Sequence, residues 1–508
     1  MSAASDLPRS ASRPIGAPRA ATALSRALAV TFACGALGIA GCTAVGPDYR
    51  RPATALPAAY PGEPAAGEAI VQPRWWTLYS DATLTALVDA ALARNADVRL
   101  AAARVEETEA VLAQARAAMF PEVDLQGSST RARSSQVGAV PLPTTTPIVQ
   151  STQRLVLSTT FELDFWGRLR RADEAARAQA LGTRYGQGVV ATTLAGSTVQ
   201  SYFALRSIEA QAASLAATVI AREGSLDLAR RRAAGGIASD LDVAQANGAL
   251  ADARVQLREL QRQRAIIEHQ LAVLTGQPGA TVPAGAGIAA LPLVPVPPAG
   301  LPSSLVDRRP DVRQAEQVLA SASALIGVAK AQEYPTFSLT AFLGGQAADL
   351  GNVISGAGRV GSLGASVFWP VFDAGRYRAR TREAEARAEQ AAAAYERTVQ
   401  TAWREVADAL DNVGAAAQSE ADVEARLRAA REALRISQIR YDAGYSGYLE
   451  VLDAQRTLNG AELASIQNRQ ARLAASVDLM KALGGGWQLP AAIGAADGAR
   501  PGGVAVAR

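Results

Sequence analysis

Two periodicities alternate along the chain. Leu155, Leu157, Thr159, Phe161, Leu163 and Phe165 interleave with Val156, Ser158, Thr160, Glu162 and Asp164, which predicts a strand with one apolar and one mostly polar face. Leu363, Ala365, Val367, Trp369 and Val371 interleave with Ser362, Gly364 and Ser366 in the same manner. Partner strands are predicted just upstream, at Glu122–Thr130 and at Thr336–Gly344, the latter with Phe337, Leu339, Ala341 and Leu343 as its apolar row. Length and alternation suit transmembrane β-strands of about 9–11 residues. A half-buried soluble sheet gives the same pattern strand by strand.

The second periodicity is helical. Segments Leu84–Ala118 and Ser304–Gln332 read as helices stopped by Pro121 and Pro335, since proline lacks the amide a helix needs. Gly167–Gln277 and Val371–Leu489 then run without proline, in a chain that has 25. A helix from about Arg168 to Arg232 spans roughly 100 Å at about 1.5 Å per residue. Val399, Trp403, Val406, Leu410 and Val413 step by four and three, the spacing of a coiled-coil seam, and Leu250, Leu257, Leu260, Ile267, Leu271 and Leu274 keep a similar seam.

These elements occur twice in the same order. A shift of 214 places Asp97-Val98-Arg99 on Asp311-Val312-Arg313 and Pro121 on Pro335; beyond the strands a shift of 208 places Gly167-Arg168 on Gly375-Arg376, Gly236 on Gly444 and Leu241 on Leu449. The organisation that follows is a first repeat at 75–278, a Pro-rich linker at 279–302, a second repeat at 303–486 and a flexible C-terminal tail at 487–508. Two strands per repeat make four per chain. In a bilayer open edges cost several kcal/mol per unpaired group, and closed barrels begin at about eight strands. Several chains must therefore combine, and three give twelve strands.

Composition narrows the function. The net charge is +4 with basic and acidic residues interspersed, which is no footprint for nucleic acid. The only histidine, His269, lies beside Glu268 and reads as a surface or packing residue; the two cysteines, Cys34 and Cys42, lie near the N-terminus. No catalytic or metal-ligating motif is present and no cofactor is implied. A periplasmic hydrolase thus lacks a site, and a purely structural coiled-coil lipoprotein leaves the duplicated strands unexplained.

Arg9, Arg13, Arg19 and Arg26 precede the apolar run Ala27–Ala40, the layout of an export signal. The ending Ile39-Ala40-Gly41-Cys42 resembles a lipobox, which implies a lipoprotein signal peptide at 1–41 and covalent lipid on Cys42. Thr43 follows where an inner-membrane retention Asp commonly stands, which favours outer-membrane sorting. Residues 42–74 read as an extended, lipidated tether whose residues 44–73 carry no core.

Arg440-Tyr441-Asp442-Ala443-Gly444-Tyr445-Ser446-Gly447-Tyr448-Leu449-Glu450-Val451-Leu452-Asp453, its weaker copy Arg232–Ala246, the segment Trp75–Asp81 and the opening Cys42–Tyr49 together resemble TolC/NodT-type outer-membrane factors over roughly residues 42–486. The resemblance implies a mainly α fold with transmembrane β: a trimeric twelve-stranded β-barrel, four strands per chain, continued by a long periplasmic α-helical barrel. It implies an outer-membrane channel of a tripartite efflux pump, working with a periplasmic adaptor and an inner-membrane transporter, with a type I secretion duct as the alternative. It places Gly236 and Gly444 at periplasmic tip turns and adaptor contacts. It makes Glu450 and Asp453 the residues of an entrance gate, with Asp240 and Asp242 as lesser candidates. Tyr441 matches a position that latches the tip, while the basic partner of some relatives is replaced by Ser446.

Overall fold

The structure, a computed structural model, describes residues 44–53, 55–60, 71–135, 147–295, 297 and 302–488. A short 3-10 helix, Trp75–Tyr79, is followed by α1 (Ala82–Arg94), α2 (Ala96–Ala117), β1 (Glu122–Arg133), β2 (Val149–Leu163), α3 (Arg168–Ala234) and α4 (Asp240–Leu274). The second repeat supplies α5 (Pro302–Arg308), α6 (Pro310–Ala331), β3 (Thr336–Ala347), β4 (Arg359–Phe368), α7 (Arg376–Asp442) and α8 (Tyr448–Ala482). The duplication holds residue for residue in the long helices: α3 and α7 have 67 residues each, α4 and α8 have 35 each.

Two compact units cut across the repeats. One contains the strands, with Met119–Arg171 and Gly327–Arg378; the other contains Pro47–Ala118, Ala172–Ile326 and the chain from Ala379 onward. In the first unit the strands form one antiparallel sheet in the order β1-β2-β3-β4. The central pair, β2 with β3, joins the two repeats, from Gln153 opposite Ala347 to Leu163 opposite Phe337.

In the second unit the helices pair antiparallel through side chains. Arg254 reaches Glu223 at 2.7 Å and Arg264 reaches Glu209 at 3.4 Å between α4 and α3, while Ser214 donates to Glu462 at 2.7 Å between α3 and α8. The predicted seam on α7 is buried where Val399, Val406 and their neighbours meet Val312, Leu319 and Leu479. A second cluster gathers Trp75, Trp76, Tyr79, Leu84 and Val88 against Tyr202, Phe203 and Leu473. Asp81 organises this cluster: it caps α1 by accepting from Thr83 and Leu84 amides, and its other oxygen accepts from the Tyr202 hydroxyl at 2.5 Å and the Ala286 amide at 3.1 Å. The Pro-rich linker is thereby strapped to the helices, with Ile288 and Leu291 buried.

Several expectations need correction. Each early helical segment is two helices, broken at the equivalent positions Asn95 and Arg309. Asn95 is extended and caps α2 through the Asp97 amide, and its Nδ2 donates to the Leu274 carbonyl at 3.0 Å. Arg309 precedes Pro310, which disfavours helical backbone, and it donates to the Ala482 carbonyl at 3.2 Å while pairing with Asp311 and Glu405. Each break thus caps the end of its repeat's returning helix. β1, β2 and β3 extend beyond the predicted strands at one end. β2 stops at Leu163 because the Asp164 carboxylate turns to accept the Leu169 and Arg170 amides; β4 stops at Phe368, short of Pro370.

The tether does carry core. Tyr60 is 3% exposed and stacks on Trp403 with ring centroids 6.4 Å apart, and Arg51 grips Glu316 at 2.7 and 3.0 Å and Asp307 at 3.0 Å. Apolar Pro- and Ala-rich composition hid these anchors. Trp487, assigned to the tail, packs against Tyr185 at 5.4 Å. The signal segment 1–41, Cys42 and the tail from residue 489 lie outside the described residues.

Candidate functional site

Two surfaces carry the predicted function. The first is the sheet. The ladder registers align one face into rows: Leu163, Phe337 and Val367; Phe161, Leu339 and Ala365; Val123, Thr159, Ala341 and Leu363; Leu125, Leu157, Leu343 and Gly361; Gly127, Leu155, Gly345 and, at the edge, Arg359. Five rows two residues apart extend about 27 Å along the strands, and a tilt of roughly 40° leaves about 20 Å, close to a barrel's apolar band. Leu125 at 68%, Leu343 at 69% and Leu363 at 83% exposure face outward without a protein partner that covers them. The opposite face is mostly polar, with Arg154, Ser158, Thr160, Ser338, Thr340, Gln346, Ser362 and Ser366 beside the apolar Val156 and Phe342.

At one end of these rows lies an aromatic group. Trp166 stacks on Tyr334 at 4.7 Å and donates Nε1–H to the Pro335 carbonyl at 2.7 Å, and Phe165 meets Phe337 edge-on at 5.0 Å. Trp369 donates to the Glu333 carbonyl and is 57% exposed. Rings with one wet and one apolar side suit a membrane boundary. Among the described residues no helix is long and apolar enough to cross a membrane.

The second surface is where the long helices turn. α3 and α7 end alike: Gly236 and Gly444 are left-handed, with φ 73° and 79°. Ile237 N–H reaches the Arg232 carbonyl and Tyr445 N–H the Arg440 carbonyl, both at 2.8 Å, the six-to-one bond of a glycine-terminated helix. Leu226, Ala246 and Leu250 of the first hairpin pack with Tyr441, Tyr448, Val451 and Leu452 of the second.

The two turns differ at their carboxylates. Asp240 is exposed at the start of α4, and Asp242 forms a capping box with Ser239, so Asp242 has a local structural partner. The equivalent N-cap on α8 is Gly447, which offers no side chain, and Glu450 is left to a long contact with Arg440 at 3.7 Å. Glu450 and Asp453 are both exposed. Tyr441 is 7% exposed.

Sequence reading placed Arg232 at the start of the first tip segment but missed its contact with Tyr441. Its guanidinium lies 4.3 Å from the Tyr441 ring centroid and donates to the Tyr441 and Asp442 carbonyls at 3.1 and 3.4 Å. A cation of the first repeat thus lies on the Tyr441 ring of the second. A basic residue in the last turn of α3 was the available signal. His269 is exposed, and no group of three or more His, Cys, Asp or Glu side chains among the described residues is placed to hold a metal ion.

An amphipathic four-stranded sheet joined in one chain to two long helical hairpins is the build of an outer-membrane channel component. The family described as outer membrane efflux protein matches residues 87–277 and 301–485. The solvent efflux pump outer membrane protein SrpC of Pseudomonas putida is 34% identical over 461 residues, covering 89% of this chain and 97% of that protein. Outer membrane protein OprJ of Pseudomonas aeruginosa is 34% identical over 451 residues, covering 88% and 94%. The solved outer-membrane channel OprN superposes with TM-score 0.81 at 31% identity, covering 87% of this chain and 99% of that one. The chain belongs to the outer membrane efflux protein family, and it is an outer-membrane component of efflux transport.

Proposed function

We propose that three copies close a twelve-stranded barrel through the outer membrane, continued by a periplasmic helical barrel, and passively conduct small molecules delivered by a periplasmic adaptor and an inner-membrane transporter. The carrying observation is the open sheet with its continuous apolar face: β1 and β4 each pair on one side only among the described strands. Successive strands alternate in direction, so β4 of one copy and β1 of the next meet antiparallel in a head-to-tail ring. Unpaired edge groups in lipid cost several kcal/mol each, which one four-stranded chain leaves unmet.

In this reading Cys42 carries the lipid anchor, and the Gly236 and Gly444 turns meet the adaptor. Exposed Ile237 and Leu241 on one turn and Tyr445 and Leu449 on the other give that contact apolar purchase. Glu450 and Asp453, repeated by threefold symmetry, form acidic rings at the entrance, and Asp240 and Asp242 contribute less. Acidic rings favour cations. Native mass measurement of detergent-extracted protein, with single-channel recording in planar bilayers, tests the assembly. A conducting trimer is expected; a stable conducting monomer overturns it.

A further inference from the structure

The β3–β4 connection, residues 348–358, folds onto the apolar face of the sheet. Gly345 belongs to the row of that face with Leu155, and a side chain there would collide with the Val353 carbonyl oxygen. Glycine therefore lets the loop lie against the strand, with Val353 only 5% exposed. Leu350 and Ile354, four residues apart on either side of this contact, are left 76% and 85% exposed.

Four of the loop's backbone amides and two of its side chains are paired internally. Asn352 N–H bonds to the Asp349 carbonyl, Val353 N–H to Leu350, Ser355 N–H to Asn352 and Gly358 N–H to Ser355. The Ser355 hydroxyl donates to the Asn352 carbonyl at 2.7 Å, and the Asn352 amide donates to the Asp349 carboxylate at 2.8 Å. Residues 350–358 contain no ionisable side chain, while Asp349 and Arg359 flank them. Arg359 shares the Gly345 row, and its long side chain can reach out of an apolar layer to a polar boundary. Above that row the same face of β1 and β2 turns polar with Ser129, Arg131 and Gln153.

We propose that this loop is a lipid-seated anchor, with Leu350 and Ile354 inserted among the acyl chains of the outer leaflet at the upper edge of the apolar band. Internal hydrogen bonding of these groups lowers the cost of bringing the loop to the edge of the apolar layer, where the two aliphatic side chains stand exposed. The proposal rests on the sheet lying in the membrane, and the test separates the two. Single cysteines I354C, L363C and D422C are spin-labelled in protein reconstituted into phosphatidylethanolamine–phosphatidylglycerol vesicles, with the unsubstituted chain labelled in parallel as background. Relaxation by oxygen, enriched in lipid, is compared with relaxation by a water-soluble nickel chelate. At Ile354 the balance is expected to shift to oxygen, as at Leu363 in the band and opposite to exposed Asp422 on α7. Nickel-dominated relaxation at Ile354 with oxygen-dominated relaxation at Leu363 overturns the anchor alone. Nickel-dominated relaxation at both positions overturns the membrane sheet and the anchor with it.

Discussion

Arg232→Ala removes a cation that ties the end of α7 to the end of α3. Its ring contact at 4.3 Å contributes about 0.5–2 kcal/mol. Charge-assisted bonding to the terminal carbonyls of Tyr441 and Asp442 adds about 0.3–1 kcal/mol. The Asp442 carboxylate, 3.8 Å away and 53% exposed, adds a few tenths at most after solvent screening. A total of about 1–3 kcal/mol corresponds to a roughly 5- to 150-fold larger population of the opened tip. Hydrogen exchange reads this directly at the amides of Ala443, Gly444 and Tyr445, which bond back to Ile439, Tyr441 and Arg440. Their exchange accelerates by that factor, while amides around Val399–Leu410 stay at wild-type rates. Arg232→Lys recovers only part of the protection, because an ammonium lacks the planar fork that stacks and donates together. Exchange within about twofold of wild type at Gly444 and Tyr445 in the Ala variant refutes the tie.

Asp81→Ala loses an N-cap, about 1 kcal/mol, and leaves the Tyr202 hydroxyl unpaired, about 1–3 kcal/mol, so it should melt well below wild type in detergent. Burial raises the Asp81 pKa, but hydrogen bonds from Tyr202, Leu84, Ala286 and Thr83 outweigh it and hold it below the usual carboxylate value. Its contribution is therefore present above about pH 4 and lost as pH falls through the depressed folded value; thermal melts of Asp81→Asn should lose this acid-dependent component. Glu450→Ala with Asp453→Ala should reduce cation preference and multivalent block in planar bilayers, with stability changed by under about 0.5 kcal/mol and a smaller effect from Asp240→Ala. Cys42→Ser should abolish palmitate labelling while leaving the folded body intact, because Arg51 and Tyr60 hold the N-terminal segment by their own contacts.

Elements set by local chemistry were legible in the sequence. Strand alternation, helix length and the glycine turns depend on residues close in sequence, and each had a doubled copy to confirm its register. Distant partners were not legible. Nothing near Tyr60 announces Trp403, and nothing near Asp81 announces Tyr202 and Ala286. The break at Arg309 was readable from Pro310, but its equivalent at Asn95 has no proline and is held by the Asp97 amide together with the distant Leu274 carbonyl. At the tip the carboxylates were singled out by their place in the repeated motif. Arg232 was readable as a last-turn cation, but its partner was not, because that ring lies 209 residues away.

Duplication explains the frame of the tip, and divergence explains its chemistry. The two turns have the same helix lengths, the same left-handed glycine and the same six-to-one bond, so the backbone presents equivalent positions twice. One copy places Ser239 before Asp242, and the carboxylate is consumed in capping its own helix. The other places Gly447 before Glu450, which leaves the helix without a side-chain cap and the carboxylate exposed. Arginine diverges in the opposite sense: Arg232 is drawn across to the Tyr441 ring, while its equivalent Arg440 stays near Glu450 on its own hairpin. Both changes move polar chemistry toward the second turn. A Gly447→Ser substitution, which would let Glu450 cap α8 as Asp242 caps α4, should therefore stabilise the helix start by about 0.5 kcal/mol or less while weakening the channel's cation preference, as read by reversal potentials in asymmetric salt. An unchanged reversal potential in a variant whose α8 amides gain protection would show that freeing this carboxylate is not what the divergence achieves.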